Sequence, residues 1–163
     1  LGTDIRKPEE YYSTSGSSES DGDFEVTMSV DCSVVLQNMD LLPAGLKEAG
    51  AIPENGIMLQ ETIFSANEGD SVFDILLKAT RQFRIQMEYT GDPDAGISAV
   101  YIKSIGHLYE FSCGPLSGWM FRVNEEFSGN DSSGYILQPG DRVEWMFTCD
   151  LGRDIGNDYG GAS

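Results

Sequence analysis

Histidine is nearly missing from this chain: 163 residues contain one, His107. An imidazole acting as a general base needs a partner to orient it, and "IGHLYE" places no nucleophile beside it. His107 is expected on the surface of a turn. Cysteine is scarce as well. Cys32, Cys113 and Cys149 are widely spaced with no C-x-x-C, which argues against a metal knuckle or a redox dithiol motif. An odd count leaves one disulfide and one free thiol, or three buried thiols. No glycine-rich loop is available to cradle a phosphate, since "EGD" and "PGD" fall at a helix start and a hairpin. No stretch approaches the roughly 18 consecutive apolar residues of a spanning helix. Positive charge is short: 10 Lys and Arg face 27 Asp and Glu, a formal net charge of −17. That field repels phosphate backbones and anionic lipid, so nucleic acid and bare membrane are not expected partners. With no base–nucleophile pairing, no catalytic residue is assigned and the chain does not read as an enzyme.

The apolar residues, 40% of the chain, fall in a pattern. Residues 1–23 are rich in Ser, Gly and acid and read as a linker, as does the tail 156–163. The domain is expected over 24–155. In "FEVTMSVDCSV", Phe24, Val26, Met28, Val30, Cys32 and Val34 share one face of a half-buried strand. A short helix is expected within Asp40 to Glu48, a turn at Pro53 and Gly56, and a strand over 57–64. "EGDSVFDILLKATRQF" is a helix opened by a Ser71/Asp74 capping box, with Val72, Leu76, Ala79 and Phe83 as its core stripe. "IQMEY", "SAVYIKSI", "LYEFSC", "WMFRVN", "YIL" and "RVEWMF" follow as short strands. In the last, Val143, Trp145, Phe147 and Cys149 share a face, which makes Trp145 a core residue. Strands, one helix, then more strands predict an α+β domain with a mostly antiparallel sheet.

Carboxylates are plentiful at Glu125, Glu126 and Asp131, and again at Asp150, Asp154 and Asp158 beside Asn157. Their spacing does not follow the ligand order of a calcium loop, so solvated acidic loops are expected there. Alternation in "WMFRVN" sends either Trp119 and Phe121 or Met120 outward. An exposed indole beside a flexible thioether suits a flat apolar ligand edge. Phe127 and Tyr135 bracket the adaptable polar loop "SGNDSSG".

Taken together and in order, "SVDCSVVLQNMD", "EGDSVFDIL", "YEFSCGPLSGWMFRVN" and "LQPGDRVEWMFTCDLG" resemble a bacterial surface domain-of-unknown-function family. That family is related to the C-terminal domain of transcobalamin and intrinsic factor. The resemblance implies a β-grasp-like mixed sheet with one main helix packed on one face. It also implies parallel first and last strands, whose shared ends would bring Cys32 and Cys149 into a disulfide. By function it implies a secreted or surface-tethered ligand-binding module, monomeric, for a corrinoid such as cobalamin or another flat small molecule. The implied contacts are Ser117, Gly118, Trp119, Met120, Phe127 and Tyr135. Two other readings stay open: a surface adhesion or spacer module binding protein or glycan, and a metal-binding domain.

Overall fold

The computed structural model describes residues 22–93, 100–127 and 131–157. Most of the expected linker, most of the expected tail including Asp158, and the first half of the "SGNDSSG" loop lie outside them. Its elements are β1 (Phe24–Asp31), α1 (Ala44–Glu48), β2 (Ile57–Ala66), α2 (Val72–Gln82), β3 (Met87–Thr90), β4 (Tyr101–Ile105), β5 (Leu108–Tyr109), β6 (Gly118–Val123), β7 (Glu126–Phe127) and β8 (Arg142–Thr148). They form a five-stranded sheet in the order β2-β1-β8-β6-β7 and a three-stranded sheet in the order β3-β4-β5. The expected α+β class holds, with strands in two sheets and one main helix.

Alternation decides which face of the large sheet is buried. Val26, Met28 and Val30 of β1, Trp119, Phe121 and Val123 of β6, and Val143, Trp145 and Phe147 of β8 all enter the core. Residues between them, such as Arg122 and Glu144, stay half-buried on the other face and pair there, Nε to Oε1 at 2.7 Å. β1 and β8 are parallel, with Thr27 opposite Arg142 and Asp31 opposite Met146. The remaining pairs within the sheet are antiparallel. β1 is shorter than its alternating pattern suggested. It leaves the sheet at Asp31, whose carboxylate accepts from the Ser33 N–H at 2.7 Å, and Ser33–Gln37 turn into a 3-10 helix. Gly56 makes that exit compatible with the start of β2. Its φ is +75°, and a Cβ there would come within 2.4 Å of the Ser33 Cα. Such a position admits only glycine.

Helix α2 opens as expected. The Ser71 hydroxyl accepts from the Asp74 N–H while the Asp74 carboxylate accepts from the Ser71 N–H. Val72, Leu76 and Ala79 are buried, joined by Phe73 and Ile75. Burying each large side chain contributes about 1.5–3 kcal/mol. The helix touches both sheets. Phe83 meets Phe64 of β2 edge-on at 6.2 Å, and Phe73 meets Tyr89 of β3 at 4.7 Å. Phe83 itself is the helix C-cap and largely exposed, so the stripe ends one turn earlier than the spacing implied.

The expected strand "YIL" is not one. Its residues serve the helix start instead. The Tyr135 carbonyl accepts from the Val72 N–H at 3.0 Å and the Ser132 carbonyl from the Phe73 N–H at 2.9 Å. These are first-turn donors that no intrahelical carbonyl can reach. A single bridge, Ser71 to Ile136, is all the strand pairing this segment has. "LYEFSC" likewise contributes only Leu108 and Tyr109 as strand. His107 lies exposed in the two-residue turn between β4 and β5, with φ of +68°.

Candidate functional site: a cavity at the open edge of β6

Strand β6 pairs with β8 along its whole length, but with β7 only through Arg122 and Val123. Asn124 and Glu125, both at positive φ, make the two-residue turn that returns the chain into β7. Among the described residues Gly118 to Phe121 have one strand neighbour, β8. Beside this open edge lies a cavity of about 460 Å³, within the range of small-molecule sites.

The core side of the cavity is aromatic: Trp119, Phe121 and Trp145 line it. Phe121 stacks obliquely on Trp145 at 5.2 Å, and Trp119 meets Phe147 edge-on at 5.1 Å. Val100, Tyr101 and Ile102 form the opposite wall, and Phe127 sits at the edge. The Tyr101 hydroxyl donates to the Glu110 carboxylate; burial and that carboxylate push its pKa up to about 12. On the outer face Met120 and Asn157 complete the lining. Asn157 reaches Met120 because the chain after β8 turns back under the sheet at Gly152. This residue has φ of +92°, and a Cβ there would lie 2.9 Å from the Met120 sulfur. The Asn157 side-chain N–H₂ donates to that sulfur at 3.7 Å.

Two polar side chains in the lining have no partner among the described residues. Ser132 and Trp145 are each 2% exposed, and neither the Ser132 hydroxyl nor the Trp145 indole N–H finds a hydrogen-bond partner there. They are the only buried side-chain polar atoms in that position among the described residues. Ser132 is held there firmly, because its own carbonyl caps α2. The neighbouring Asp131 is a turn-former whose carboxylate accepts from the N–H groups of Val100, Ser133 and Gly134. Burial opposes its charge, but these bonds and the Ser133 hydroxyl outweigh it and hold its pKa below the usual carboxylate value.

Of the six expected contacts, Trp119, Met120 and Phe127 line the cavity. Trp119 is not displayed outward. It is 9% exposed and its indole N–H donates to the Leu108 carbonyl at 2.8 Å. Alternation on β6 turns Trp119 and Phe121 inward and Met120 to the outer face. Ser117 is buried in a tight turn, where its hydroxyl donates to the Gly114 carbonyl and accepts from the Cys113 N–H. Gly118 adjoins Glu110. Tyr135 stands behind Phe121, edge-on at 6.1 Å. Asp131, Ser132, Trp145 and Asn157 escaped sequence reasoning. Ser132 looks like any loop serine, and alternation placed Trp145 in the core without showing where its N–H ends.

The strand register does not set Cys32 level with Cys149. All three cysteines carry free thiols. The parallel register sets Asp31 opposite Met146, so Cys149 lies two residues beyond the position level with Cys32. At roughly 3.3 Å per residue and 4.8 Å between strands, the Cα atoms would be roughly 8 Å apart, beyond the roughly 7 Å a disulfide spans. The Cys32 thiol is buried and, with Asp31 beside it, its pKa is pushed up to about 12. As for metal sites, Asp150 pairs with Arg153 at 2.7 Å, and Asp154 accepts from the Thr148 hydroxyl and the Cys149 N–H. Among the described residues no three His, Cys, Asp or Glu side chains group to hold a metal ion. No described helix is long and apolar enough to cross a membrane.

No curated protein matches this chain. Among solved structures it is similar to haptocorrin in complex with Cbi, at 11% identity and a TM-score of 0.49 over 82% of this chain, and spans 27% of the haptocorrin chain. It is also similar to a candidate metal binding protein from Ruminococcus gnavus, at 10% identity and a TM-score of 0.44, over 77% of this chain and 97% of that one. Residues 69–148 match a family described as a domain of unknown function, DUF4430. That span runs from the cap of α2 to the end of β8 and holds every cavity residue named above except Asn157.

Proposed function

We propose that this chain is a non-enzymatic, extracellular ligand-binding module that takes a small, flat, largely apolar molecule into the cavity beside β6. The observation that carries the reading is that two residues lining that one cavity, Ser132 and Trp145, each bury a side-chain polar atom, Oγ and Nε1, with no partner among the described residues. An unsatisfied buried polar group costs about 1–3 kcal/mol, and a ligand that supplies its partner recovers that cost. The indole N–H only donates and so asks for an acceptor on the ligand; the serine hydroxyl takes either role. Three aromatic rings supply the apolar contact. The net charge of −17 disfavours an anionic ligand.

A corrinoid, the class the sequence resemblance implies, is the first ligand to test. A cavity of about 460 Å³ would take one edge of such a molecule, with a peripheral amide carbonyl as the acceptor for Trp145. The experiment is tryptophan fluorescence titrated with cobalamin and cobinamide in the wild type, Trp145→Phe and Ser132→Ala. Saturable quenching that weakens about tenfold or more in either variant supports the site, as expected for losing a bond of about 1.4 kcal/mol or more. Absence of quenching beyond inner-filter loss removes the corrinoid. Quenching of equal affinity in all three proteins removes the cavity.

One observation favours a second reading, a module that docks a surface protein. Phe111, Leu116 and Leu151 are exposed, and the Leu151 N–H donates to the Leu116 carbonyl, which places them at one end of the sheet.

A further inference from the structure

We infer that Cys113 and Cys149 form a disulfide under oxidising conditions and that Cys32 is left as the free thiol. Strand register carries most of the argument. Gly118 pairs with Thr148, which sets the start of β6 beside the end of β8. The Leu151 N–H donates to the Leu116 carbonyl at 2.9 Å and extends that pairing beyond both strands. The chain before β6 then folds back on itself. The Phe111 N–H donates to the Ser117 carbonyl at 3.0 Å, and the Cys113 N–H donates to the Ser117 hydroxyl at 3.1 Å. This tight turn swings Cys113 over the end of β8, where Cys149 follows Thr148. The Cys113 thiol donates to the Asn38 carbonyl at 3.5 Å, and the two thiols lie close enough to perturb each other's ionisation. Cys32 sits on the far side of β8, two positions out of step with Cys149, and its neighbouring charge is Asp31.

The chemistry needs a disulfide oxidant, such as oxidised glutathione or an oxidoreductase carrying its own disulfide. Cys149 is the more accessible of the two. Its thiolate attacks one sulfur of R–S–S–R, forming a mixed disulfide and expelling RS⁻. The Cys113 thiolate then attacks the Cys149 sulfur and expels the second RS⁻. One protein disulfide forms, one oxidant disulfide is reduced to two RSH, and the two thiol protons end on those products. Burial raises both thiols above their ordinary pKa, so few thiolates exist in the native protein at neutral pH. The bridge should therefore close quickly during oxidative refolding and slowly once the reduced fold is complete.

The test refolds the reduced, urea-unfolded full chain in a glutathione redox buffer, quenches with acid, alkylates, and maps tryptic peptides by mass. The expected product is a cross-link between the peptides 104–122 and 143–153, with Cys32 alkylated. Cys32→Ala should keep the cross-link and Cys149→Ser should lose it. The bridged protein should also unfold at higher urea concentration than the reduced protein. A cross-link containing Cys32, three alkylated cysteines at equilibrium, or a bridged form that unfolds at the same or lower urea would each overturn the inference.

Discussion

Replacing Trp119 and Trp145 in turn by phenylalanine deletes the same atoms from two buried rings that line one cavity. The transfer and void terms of the two changes are similar and cancel to first order. Their polar consequences are opposite. In Trp119→Phe a satisfied bond is lost and the Leu108 carbonyl gives up its indole donor at 2.8 Å, which costs about 1–3 kcal/mol. In Trp145→Phe an N–H that has no partner is removed, which relieves a penalty of about the same size. Trp119→Phe should therefore be the more destabilising by about 2 kcal/mol or more, the low end of those two effects combined. At roughly 2–4 °C per kcal/mol, the two variants should melt at least about 4 °C apart. Urea denaturation followed by circular dichroism gives the free-energy difference directly, and calorimetry checks the two-state assumption. Equal losses, or a greater loss for Trp145→Phe, would refute the assignment of an unpartnered indole N–H at position 145. The functional claim built on it would fall with it.

Ser71→Ala breaks both the cap acceptor and the hydroxyl's bond to Asp74, and should cost about 1–2 kcal/mol in urea denaturation. Asp131→Asn should flatten the acid limb of the stability profile. The native Asp131 pKa is depressed, so its contribution is fully present above the ordinary carboxylate value of about 3.9 and is lost as pH falls below that through the native pKa. Urea midpoints at neutral pH and at pH ~3 should differ less in the variant than in the wild type; an unchanged difference would show that the carboxylate's bonds contribute nothing net.

Local chemistry was legible wherever it is written in neighbouring residues. The Ser71/Asp74 box and the alternation of Val26, Met28 and Val30 are decided within a few positions, and both appear as read. The parallel pairing of the first and last strands followed from resemblance and is present. What stayed hidden depends on register between distant segments. Nothing in "YIL" says that the Tyr135 carbonyl will meet a free N–H of a helix some sixty residues earlier, because tertiary context overrides the strand-like composition. Nothing near Cys113 says that its turn will fold over β8 rather than away from it. Alternation named the inward residues of β8, but it carries no information about whether the Trp145 N–H finds an acceptor.

The parallel neighbours β1 and β8 also have a consequence in time. The inner flank of β1 waits for a strand that begins more than a hundred residues later. Until β8 is synthesised and arrives, the middle of the large sheet is a gap, and Met28 and Val30 lack the Val143 and Trp145 that stand opposite them. Such long-range closure is slow, and a nascent chain would carry an adhesive, incomplete sheet until its last strand slots in. A shortened chain that ends before Arg142 should be insoluble rather than merely less stable.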